Sequence, residues 1–191
     1  NGQLLKEIKN LNLWIQPAAG DAGGALGSAL ASHYYFLNNK REVSSKQKDK
    51  MKGSLLGPKF SQHEVEKRLK KLGAKFKVLP EEEMIHQTAL AISQQKAVGW
   101  FQGKMEFGPR ALGARSILGD PRSPDTQKNL NLKIKFRESF RPFAPSILEE
   151  RTQDYFDLEV ASPYMLLVAD VNEEKRLAPV LGGDKGSILN Q

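Results

Sequence analysis

The distribution of apolar residues first predicts a strand, a turn and a helix. Residues 11–16 (LNLWIQ) form a short apolar run that favours a strand, and residues 17–21 carry the Pro, Gly and Asp of a turn. Between residues 22 and 37 small residues give way to aromatic ones, which predicts a helix with a Gly/Ala face that another backbone can approach closely. Asp21 lies where a helix N-cap is expected.

A second series of elements is predicted after residue 57. Ser61 and Glu64 have the spacing of a capping box, so a helix is expected to begin there and to end at Gly73. Pro80 followed by three glutamates predicts the start of another helix. The remaining apolar runs predict strands at 76–79, 97–101 (buried), 144–148 and 164–171, and residues 125–134 predict a helix. A loop at 103–118 is expected to lead into a further apolar segment around residues 116–118. This alternation of strands and helices predicts an α/β (α+β) fold.

Composition narrows the possible classes of function. The 191 residues include 39% hydrophobic residues, which is typical of a globular chain, and no cysteine, which excludes disulfides, thiolate catalysis and Cys-ligated zinc. No apolar run approaches the ~18 residues of a membrane helix, and no signal peptide is visible, so we expect a cytoplasmic protein without membrane contact. The chain begins without Met, as expected of an excised fragment.

The net charge of +7 predicts an anionic partner. The positions of the basic residues along the chain indicate which kind of anion to expect. Residues 40–59 are rich in lysine and mixed with Ser, Gln and Gly, which indicates a solvated linker rather than a nucleic-acid-binding patch. The basic residues between 96 and 151 are mostly arginines interleaved with Gly, Pro and Phe. Nucleic acid is therefore not the expected partner.

A glycine-rich loop carries the first candidate site. Residues 103–116 (GKMEFGPRALGARS) combine glycines, a proline, Arg110 and Arg115, and such a loop can form an anion-binding nest beside guanidinium groups that match phosphate oxygens. The alternative is a surface loop in which the arginines pair with Glu106 and Asp120. Spacing alone favours neither interpretation.

Residues 129–146 (NLNLKIKFRESFRPFAPS) carry the second candidate site. Lys135, Arg137 and Arg141 fall within seven residues. Phenylalanines are interleaved with them, at Phe136, Phe140 and Phe143. We expect the rings to anchor this segment to the core while the cationic groups face a pocket, with two prolines stiffening the exit. Base stacking on exposed rings is the nucleic-acid alternative.

The third candidate is Asp21 in the Gly-rich stretch 17–27 (PAAGDAGGALG). An aspartate in such a turn is a metal ligand in some proteins, but a lone aspartate before a helix is more often an N-cap. No histidine stands near enough in sequence to complete a local metal site, and neither a Ser-His-Asp set nor a carboxylate pair is indicated.

Taken in order, PAAGDAGGALGSAL, GKMEFGPRALGARSIL and KIKFRESFRPFAPSIL closely resemble the C-terminal half of the NodU/CmcH/TobZ-type O-carbamoyltransferases. These enzymes act in nodulation-factor, cephamycin and aminoglycoside (antibiotic) biosynthesis. The resemblance implies two domains in the full-length protein. A YrdC-like, ATP-binding domain makes carbamoyl-adenylate from carbamoyl phosphate and ATP, and an ASKHA-type domain with a transition metal, expected to be Fe, passes the carbamoyl group to an acceptor hydroxyl.

The resemblance also implies domain boundaries. Residues 1–37 match the last turn and helix of the ASKHA-type domain, in which Asp21 matches a metal-binding aspartate. Residues 38–57 form the basic linker. Residues 58–191 match the YrdC-like domain, expected to be a mixed twisted sheet flanked by helices and truncated at its C-terminus. The partners implied are carbamoyl phosphate, ATP with Mg²⁺, an alcohol acceptor and the missing N-terminal domain.

Motif positions imply the site residues. Carbamoyl phosphate and ATP are expected to bind Arg110, Lys135 and Arg141, of which Lys135 and Arg141 are the expected catalytic residues. Neighbours added to the binding set are Arg115, Ser116 and Arg137. Because the family's histidine metal ligands and its His-Val-Asp-Gly type stretch are missing here, the fragment alone is not expected to perform the whole reaction. An RNA-binding module of the YrdC type and an inactive structural fragment remain the rival hypotheses.

Overall fold

A computed structural model describes residues 1–42 and 49–176 of the chain. Its α-helices are α1 (Gly2–Glu7), α2 (Asp21–Ala31), α3 (Gln62–Lys71), α4 (Glu81–Ser93), α5 (Thr126–Asn129) and α6 (Thr152–Tyr155). Its strands are β1 (Val98–Phe101) and β2 (Arg115–Leu118), which pair in a small antiparallel sheet. Short 3-10 turns lie at Lys52–Ser54, Glu149–Arg151 and Glu173–Lys175, and π-helical turns at Ser32–Phe36 and Leu130–Lys135. The predicted mixture of helices and sheet is confirmed.

The predicted helices are present, and their capping explains where they begin. Ser61 and Glu64 form the expected capping box, because each side chain accepts a hydrogen bond from the other residue's backbone N–H. Gly73 follows the end of α3 with a φ of 66°, a left-handed conformation that suits glycine. Helix α4 begins directly after Pro80, as predicted. Asp21, however, is the first residue of α2 rather than its cap, since Gly20 occupies that position and no side chain caps the helix.

The prediction of a buried strand at 97–101 is only partly correct. Strand β1 forms there, but its residues alternate between half-buried and exposed, and Phe101 is 56% exposed. Both strands of a two-stranded sheet are edge strands, so β1 has a pairing partner on one side only. An apolar run of five residues does not distinguish such a strand from a buried central one.

Four predicted strands are wrong. Residues 11–16, 76–79 and 144–148 form no ladder, and in residues 164–171 only Val171 makes a bridge, to Phe156. In the first segment Leu11, Leu13 and Ile15 are half-buried and Asn12 and Trp14 are exposed. The apolar pattern alone does not make a strand, because a strand also needs a partner backbone for its hydrogen bonds.

The chain divides into two compact units. Unit 1 comprises Asn1–Phe60, Phe101–Arg115 and Ser162–Leu166. Unit 2 comprises Ser61–Trp100, Ser116–Ala161 and the described part of Leu167–Gln191. The domain boundaries implied at residues 37 and 57 stay predictions, and residues 43–48 of the basic linker lie outside the described residues.

Ala18 is the centre of the packing in unit 1. It is buried, and its carbonyl accepts a hydrogen bond from the Gly23 N–H at 3.0 Å. A Cβ added to Gly23 would lie 2.6 Å from that carbonyl oxygen, so the predicted close approach of a backbone to the glycine face of α2 is confirmed. A Cβ added to Gly108 would lie 2.7 Å from the Ala18 Cβ. The two glycine-rich motifs therefore pack against each other within unit 1.

Unit 2 has its buried apolar residues in two places. Leu130, in the π-helical turn after α5, contacts the Gly119 position, where an added Cβ would lie 3.1 Å from a Leu130 methyl carbon. Phe156 and Val171 are both buried and form the isolated bridge. Within the described ranges, no helix is long and apolar enough to cross a membrane.

Replacing Ser61 tests the capping box. Ser61→Ala removes the side-chain oxygen that accepts the Glu64 N–H, and we expect the free energy of unfolding to fall by about 1 kcal/mol. Urea unfolding followed by circular dichroism measures this change. Gln62→Ala, at the exposed first residue of α3, is the control and should change the free energy by less than about 0.5 kcal/mol. Equal effects of the two substitutions would contradict the capping role.

Candidate functional site

The loop between β1 and β2 is organised around the carboxylate of Glu106. The side chain of Glu106 is 0% exposed. Its Oε1 accepts hydrogen bonds from the backbone N–H groups of Leu112 at 2.8 Å and Ala114 at 2.7 Å. Backbone hydrogen bonds also join Phe107 to Ser54 and Met105 to Pro58, so the start of the loop is fixed to the segment 54–58.

The expected anion-binding nest exists, but a residue of the same loop occupies it. The N–H groups of Leu112 and Ala114 converge on an anion, and that anion is Glu106. These two donors are therefore committed to holding the loop. Glu106 binds these amides because it lies only a few residues before them in the chain. Its carboxylate therefore reaches them by closing a short loop.

Arg115 is held in the same arrangement. Its Nε lies 3.2 Å from Oε2 of Glu106, and its Nη2 donates to the carbonyl oxygens of Glu106 and Gly108. The pairing interpretation of the loop is thus confirmed for Arg115 with Glu106. It is wrong for Asp120, whose partner is Arg122: the Arg122 Nη2 lies 2.7 Å from the Asp120 Oδ2. Arg122 lies two residues after Asp120 in the same turn, so it reaches the carboxylate more readily than Arg110 or Arg115 does.

Electrostatics keep Glu106 ionised. Burial raises the pKa of its carboxyl, but hydrogen bonds from backbone N–H groups, including those of Leu112 and Ala114, outweigh burial and leave the pKa below its ordinary value of 4.5. The charged form is therefore favoured in the folded protein. The stabilisation is complete above pH 4.5 and is lost as the pH falls through the lowered pKa.

Arg110 differs from Arg115 because it takes no part in this hydrogen-bonding arrangement. It is exposed, and within the described residues its side chain has no hydrogen-bond or ion-pair partner. It borders a small hollow with about 190 Å³ of empty space that opens to solvent. The hollow is lined by Ala18, Ser54, Phe107, Pro109, Arg110, Leu112 and Tyr164, all of which belong to unit 1.

Tyr164 and Asp49 form the opposite polar part of unit 1. The Tyr164 hydroxyl donates a hydrogen bond to Oδ2 of Asp49 and accepts one from the Gly53 N–H at 3.1 Å. Burial and the neighbouring Asp49 raise the pKa of Tyr164 to about 12, so the hydroxyl keeps its proton at neutral pH. Asp49 also accepts from the N–H groups of Met51 and Gly53. These contacts fix the turn that carries Ser54 to the hollow.

In unit 2, Asn131 holds the segment that follows α5. Its side chain is fully buried, and its Nδ2 donates to the carbonyl oxygens of Ser139 at 3.1 Å and Arg141 at 2.7 Å. Its Oδ1 accepts from Nε of Arg137 at 2.6 Å. The Asn131 amide therefore closes a loop between residues 131 and 141. Both its nitrogen and its oxygen have hydrogen-bond partners in that loop.

The cationic residues of this segment differ in how they are held. The Arg137 guanidinium lies 4.8 Å from the centroid of the Phe143 ring and also bonds Asn131, so it is part of the framework. Arg141 is half-exposed and pairs with Glu138 at 3.0 Å. Lys135 is exposed and has no partner within the described residues.

The prediction that phenyl rings anchor this segment is wrong for two of the three. Phe136 is 85% exposed and Phe140 is 76% exposed, whereas Phe143 is half-buried beneath Arg137. The anchoring is polar, through Asn131, rather than apolar. The backbone of Phe136 has a φ of 50°, which turns the chain sharply at the end of the helix and directs the ring outward.

The predicted site residues are distributed over both units. Arg110 and Arg115 belong to unit 1, and Ser116, Lys135, Arg137 and Arg141 belong to unit 2. Their joint action on one ligand stays a prediction. Asp21 is exposed at the start of α2, and no group of three His, Cys, Asp or Glu residues that could hold a metal is present in the described ranges.

Sequence reasoning missed the roles of Glu106 and Asn131. Glu106 was considered only as an exposed partner for arginine, and Asn131 was not singled out at all. A signal was present for Glu106, because a carboxylate beside a turn containing several glycines is a suitable acceptor for exposed backbone N–H groups. No local pattern identifies Asn131, whose three partners lie six to ten residues further along the chain.

Changing the charge of Glu106 should alter stability in a pH-dependent way. We expect Glu106→Gln to lower the free energy of unfolding by about 1–3 kcal/mol at pH 7, because buried N–H groups lose a charged acceptor. The difference should shrink as the pH falls from 4.5 through the lowered pKa of Glu106, because protonation then removes the charge from the original protein as well. Urea unfolding of both proteins at several pH values between 3 and 7 measures this difference in the free energy of unfolding. A pH-independent difference, or an equal effect of exposed Glu159→Gln, would contradict this explanation.

Asn131→Ala should destabilise the loop between residues 131 and 141. The substitution removes three hydrogen bonds: the Ser139 carbonyl oxygen and the Arg137 Nε lose this partner, and the Arg141 carbonyl oxygen keeps only its bond from Gln127. We expect a loss of about 1–3 kcal/mol in urea unfolding. Asn129→Ala is the matched control, because Asn129 is exposed on the same helix. Its effect should stay within about 0.5 kcal/mol. Similar losses for both variants would show that the amide of Asn131 is not the determinant.

Comparison with known proteins matches this chain to a family. The model of the carbamoyltransferase C-terminus matches residues 89–185. An uncharacterized protein of Synechocystis sp. is 55% identical over 179 residues, which cover 93% of this chain and 29% of that protein. Nodulation protein NolNO of Sinorhizobium fredii is 38% identical over 92% of this chain and 26% of its own length. Nodulation protein NolO of Bradyrhizobium diazoefficiens is 35% identical over 92% and 32%, respectively.

The chain thus spans about a quarter to a third of the length of these curated relatives. The family match covers about half of the chain and includes both the loop organised by Glu106 and the segment held by Asn131. The chain therefore belongs to the carbamoyltransferase C-terminus family and corresponds to a C-terminal part of these nodulation proteins.

Proposed function

We propose that this chain is the YrdC-like, carbamoyl-adenylate-forming part of an O-carbamoyltransferase. It binds carbamoyl phosphate and ATP, and the longer protein passes the carbamoyl group to a hydroxyl of a small-molecule or sugar acceptor. The observation that carries the proposal is Arg110: an unpaired guanidinium at a hollow, presented by a loop that Glu106 fixes, in a member of the carbamoyltransferase family. The nodulation proteins among the relatives are consistent with it.

A fixed loop is what anion binding requires of Arg110. Guanidinium groups donate to phosphate oxygens through a planar arrangement of N–H groups. The affinity is highest when the loop that carries the guanidinium is already ordered before the ligand binds. The contacts of Glu106 with Leu112, Ala114 and Arg115 order the loop on both sides of Arg110 without using Arg110 itself. Arg115 accordingly supports the site, whereas Arg110 is the residue proposed to contact the ligand.

Lys135 and Arg141 are the further ligand contacts that the family resemblance implies. Lys135 has no partner within the described part of the chain, so no ion pair has to break before it binds an anion. The Arg141 ion pair with Glu138 is exposed, and such pairs contribute only about 0–1 kcal/mol, so a phosphate group displaces it at small cost. Ser116 and Arg137 are proposed as neighbours that shape the site.

The chemistry proposed for these residues balances as follows. Water releases the phosphoryl group of carbamoyl phosphate as inorganic phosphate and leaves carbamate. A carbamate oxygen then attacks the α-phosphorus of ATP, an O–P bond forms, and the bond to pyrophosphate breaks. The cationic groups neutralise charge on the phosphates and keep the reacting oxygen in line with the α-phosphorus. Mg²⁺ is the expected companion of ATP and would supply further positive charge to its phosphates.

A transition metal, expected to be Fe, is proposed only for the longer protein. Asp21 supplies one oxygen ligand from an exposed position, and the described residues offer no group of three that could complete such a site. One exposed carboxylate does not hold a transition metal. We therefore derive no step through a metal at Asp21.

Carbamoyl phosphate binding tests the proposal directly. We expect isothermal titration to detect binding to the original chain, and Arg110→Ala or Arg141→Ala to weaken it by about tenfold to a hundredfold, since each removes a charged hydrogen bond. Arg41→Ala is the matched control, because it removes the same charge from an exposed position outside the proposed site. It should change the affinity less than about threefold.

Two outcomes would contradict the proposal. Equal affinity of the original chain and both site variants would remove Arg110 and Arg141 from the site. Weakening of all three variants to the same extent would show that carbamoyl phosphate responds only to net charge. Unfolding curves of each variant, measured in the same buffer, distinguish lost binding from lost folding.

A further inference from the structure

Unit 2 contains a second hollow that shares no residue with the proposed carbamoyl phosphate site. It has about 590 Å³ of empty space, counted to its opening into solvent. It lies where residues 95–97, the Gly119–Ser123 turn and the helix continuing from α5 meet. Its lining consists of Gln95, Lys96, Ala97, Gly119, Ser123, Thr126, Asn129, Leu130, Lys133 and Ile134. All of these residues belong to unit 2.

The charged residues of this hollow are both cations. Lys96 and Lys133 line it, and no aspartate or glutamate does. Neither ammonium group has an ion-pair or hydrogen-bond partner in residues 1–42 and 49–176. The nearest buried carboxylate along the chain, Asp120, is already neutralised by a bidentate pair with Arg122. An incoming anion would therefore meet two uncompensated positive charges.

Ser123 supplies a second and independent indication. The residue is only 6% exposed, yet its hydroxyl has no hydrogen-bond partner in the part of the chain that the structure describes. Buried hydroxyl groups normally have a partner, because burial without one costs about 1–3 kcal/mol. The hydroxyl is fixed at the hollow by its backbone, whose N–H bonds the Asp120 carbonyl and whose carbonyl accepts from the Thr126 N–H.

The side walls of the hollow leave room for a compact ligand. Gly119 lies so close to α5 that an added Cβ would be 2.8 Å from the Thr126 methyl carbon and 3.1 Å from Leu130. The absence of a side chain at residue 119 therefore lets the turn carrying Ser123 approach the helix. Thr126 and Asn129 add further polar groups to the lining.

We propose that this hollow is a phosphate-binding site, in which Lys96 and Lys133 neutralise the anion and the Ser123 hydroxyl donates to one of its oxygens. The ligand class is a phosphate-bearing small molecule. Lysine ammonium groups act as point charges towards phosphate, and a hydroxyl adds direction without charge. A nucleic-acid strand would require a row of basic residues following its backbone, whereas only two lysines line this hollow.

Inorganic phosphate and pyrophosphate are suitable probes, titrated separately into the whole chain at constant ionic strength. We expect backbone amide NMR shifts to change in residues 95–97 and 119–133, with saturation at one affinity per probe. Lys133→Gln, Lys96→Gln and Ser123→Ala should each weaken binding, the lysine variants by about tenfold. Lys128→Gln is the matched control, since it removes one exposed lysine from the same helix without lining the hollow.

Each result bears on the proposal. Saturable shifts in these residues that Lys128→Gln leaves intact support it. Absence of saturation, or equal weakening by Lys128→Gln and Lys133→Gln, would overturn it. Shifts confined to residues 107–115 or 135–141 would also overturn it, and would instead support the carbamoyl phosphate site. Because Arg110→Ala leaves this hollow unchanged, phosphate binding there should persist in that variant even if the proposed carbamoyltransferase function fails.

Discussion

A buried carboxylate that binds the backbone of its own loop is the interaction on which the rest of unit 1 depends. The loop between β1 and β2 contains three glycines and no helix or strand, so ordering it costs conformational entropy. The carboxylate of Glu106 offsets part of that cost, because it accepts charged hydrogen bonds from Leu112, Ala114 and Arg115. The close packing of Gly108 on Ala18 then joins the ordered loop to the glycine-rich start of α2.

The chain uses its basic residues in two different ways. Arg115, Arg122 and Arg137 donate hydrogen bonds to carboxylates, carbonyl groups or an amide of the chain, so they serve the framework. Arg110, Lys96, Lys133 and Lys135 have no partner within the described residues and remain available to ligands. In the sequence, basic residues with and without partners look alike. Only their hydrogen bonds in the folded chain distinguish them. Function is therefore better assigned to the uncommitted cations than to the motif as a whole.

Much of the helical structure could be predicted, because helix starts depend on local chemistry. Ser61 with Glu64, and Pro80 before three glutamates, were sufficient to locate α3 and α4. Strands were predicted less well, because an apolar run does not show whether a partner backbone exists, and the segments at 11–16 and 76–79 have none in the described ranges. The candidate loop was found from its composition. The roles within it were not, since Glu106 and Asn131 act through partners that only the folded backbone brings together.

Hydrogen exchange at the amides of Leu112 and Ala114 tests the central claim most directly. Both N–H groups donate to Glu106, so we expect them to be protected in the original chain and to exchange much faster in Glu106→Gln. The amides of Val65 and Leu72 in α3, which bond within the helix and at its end, should exchange equally in both proteins. Unchanged protection of Leu112 and Ala114 in Glu106→Gln would show that the carboxylate does not order the loop, and the account of Arg110 would lose its basis.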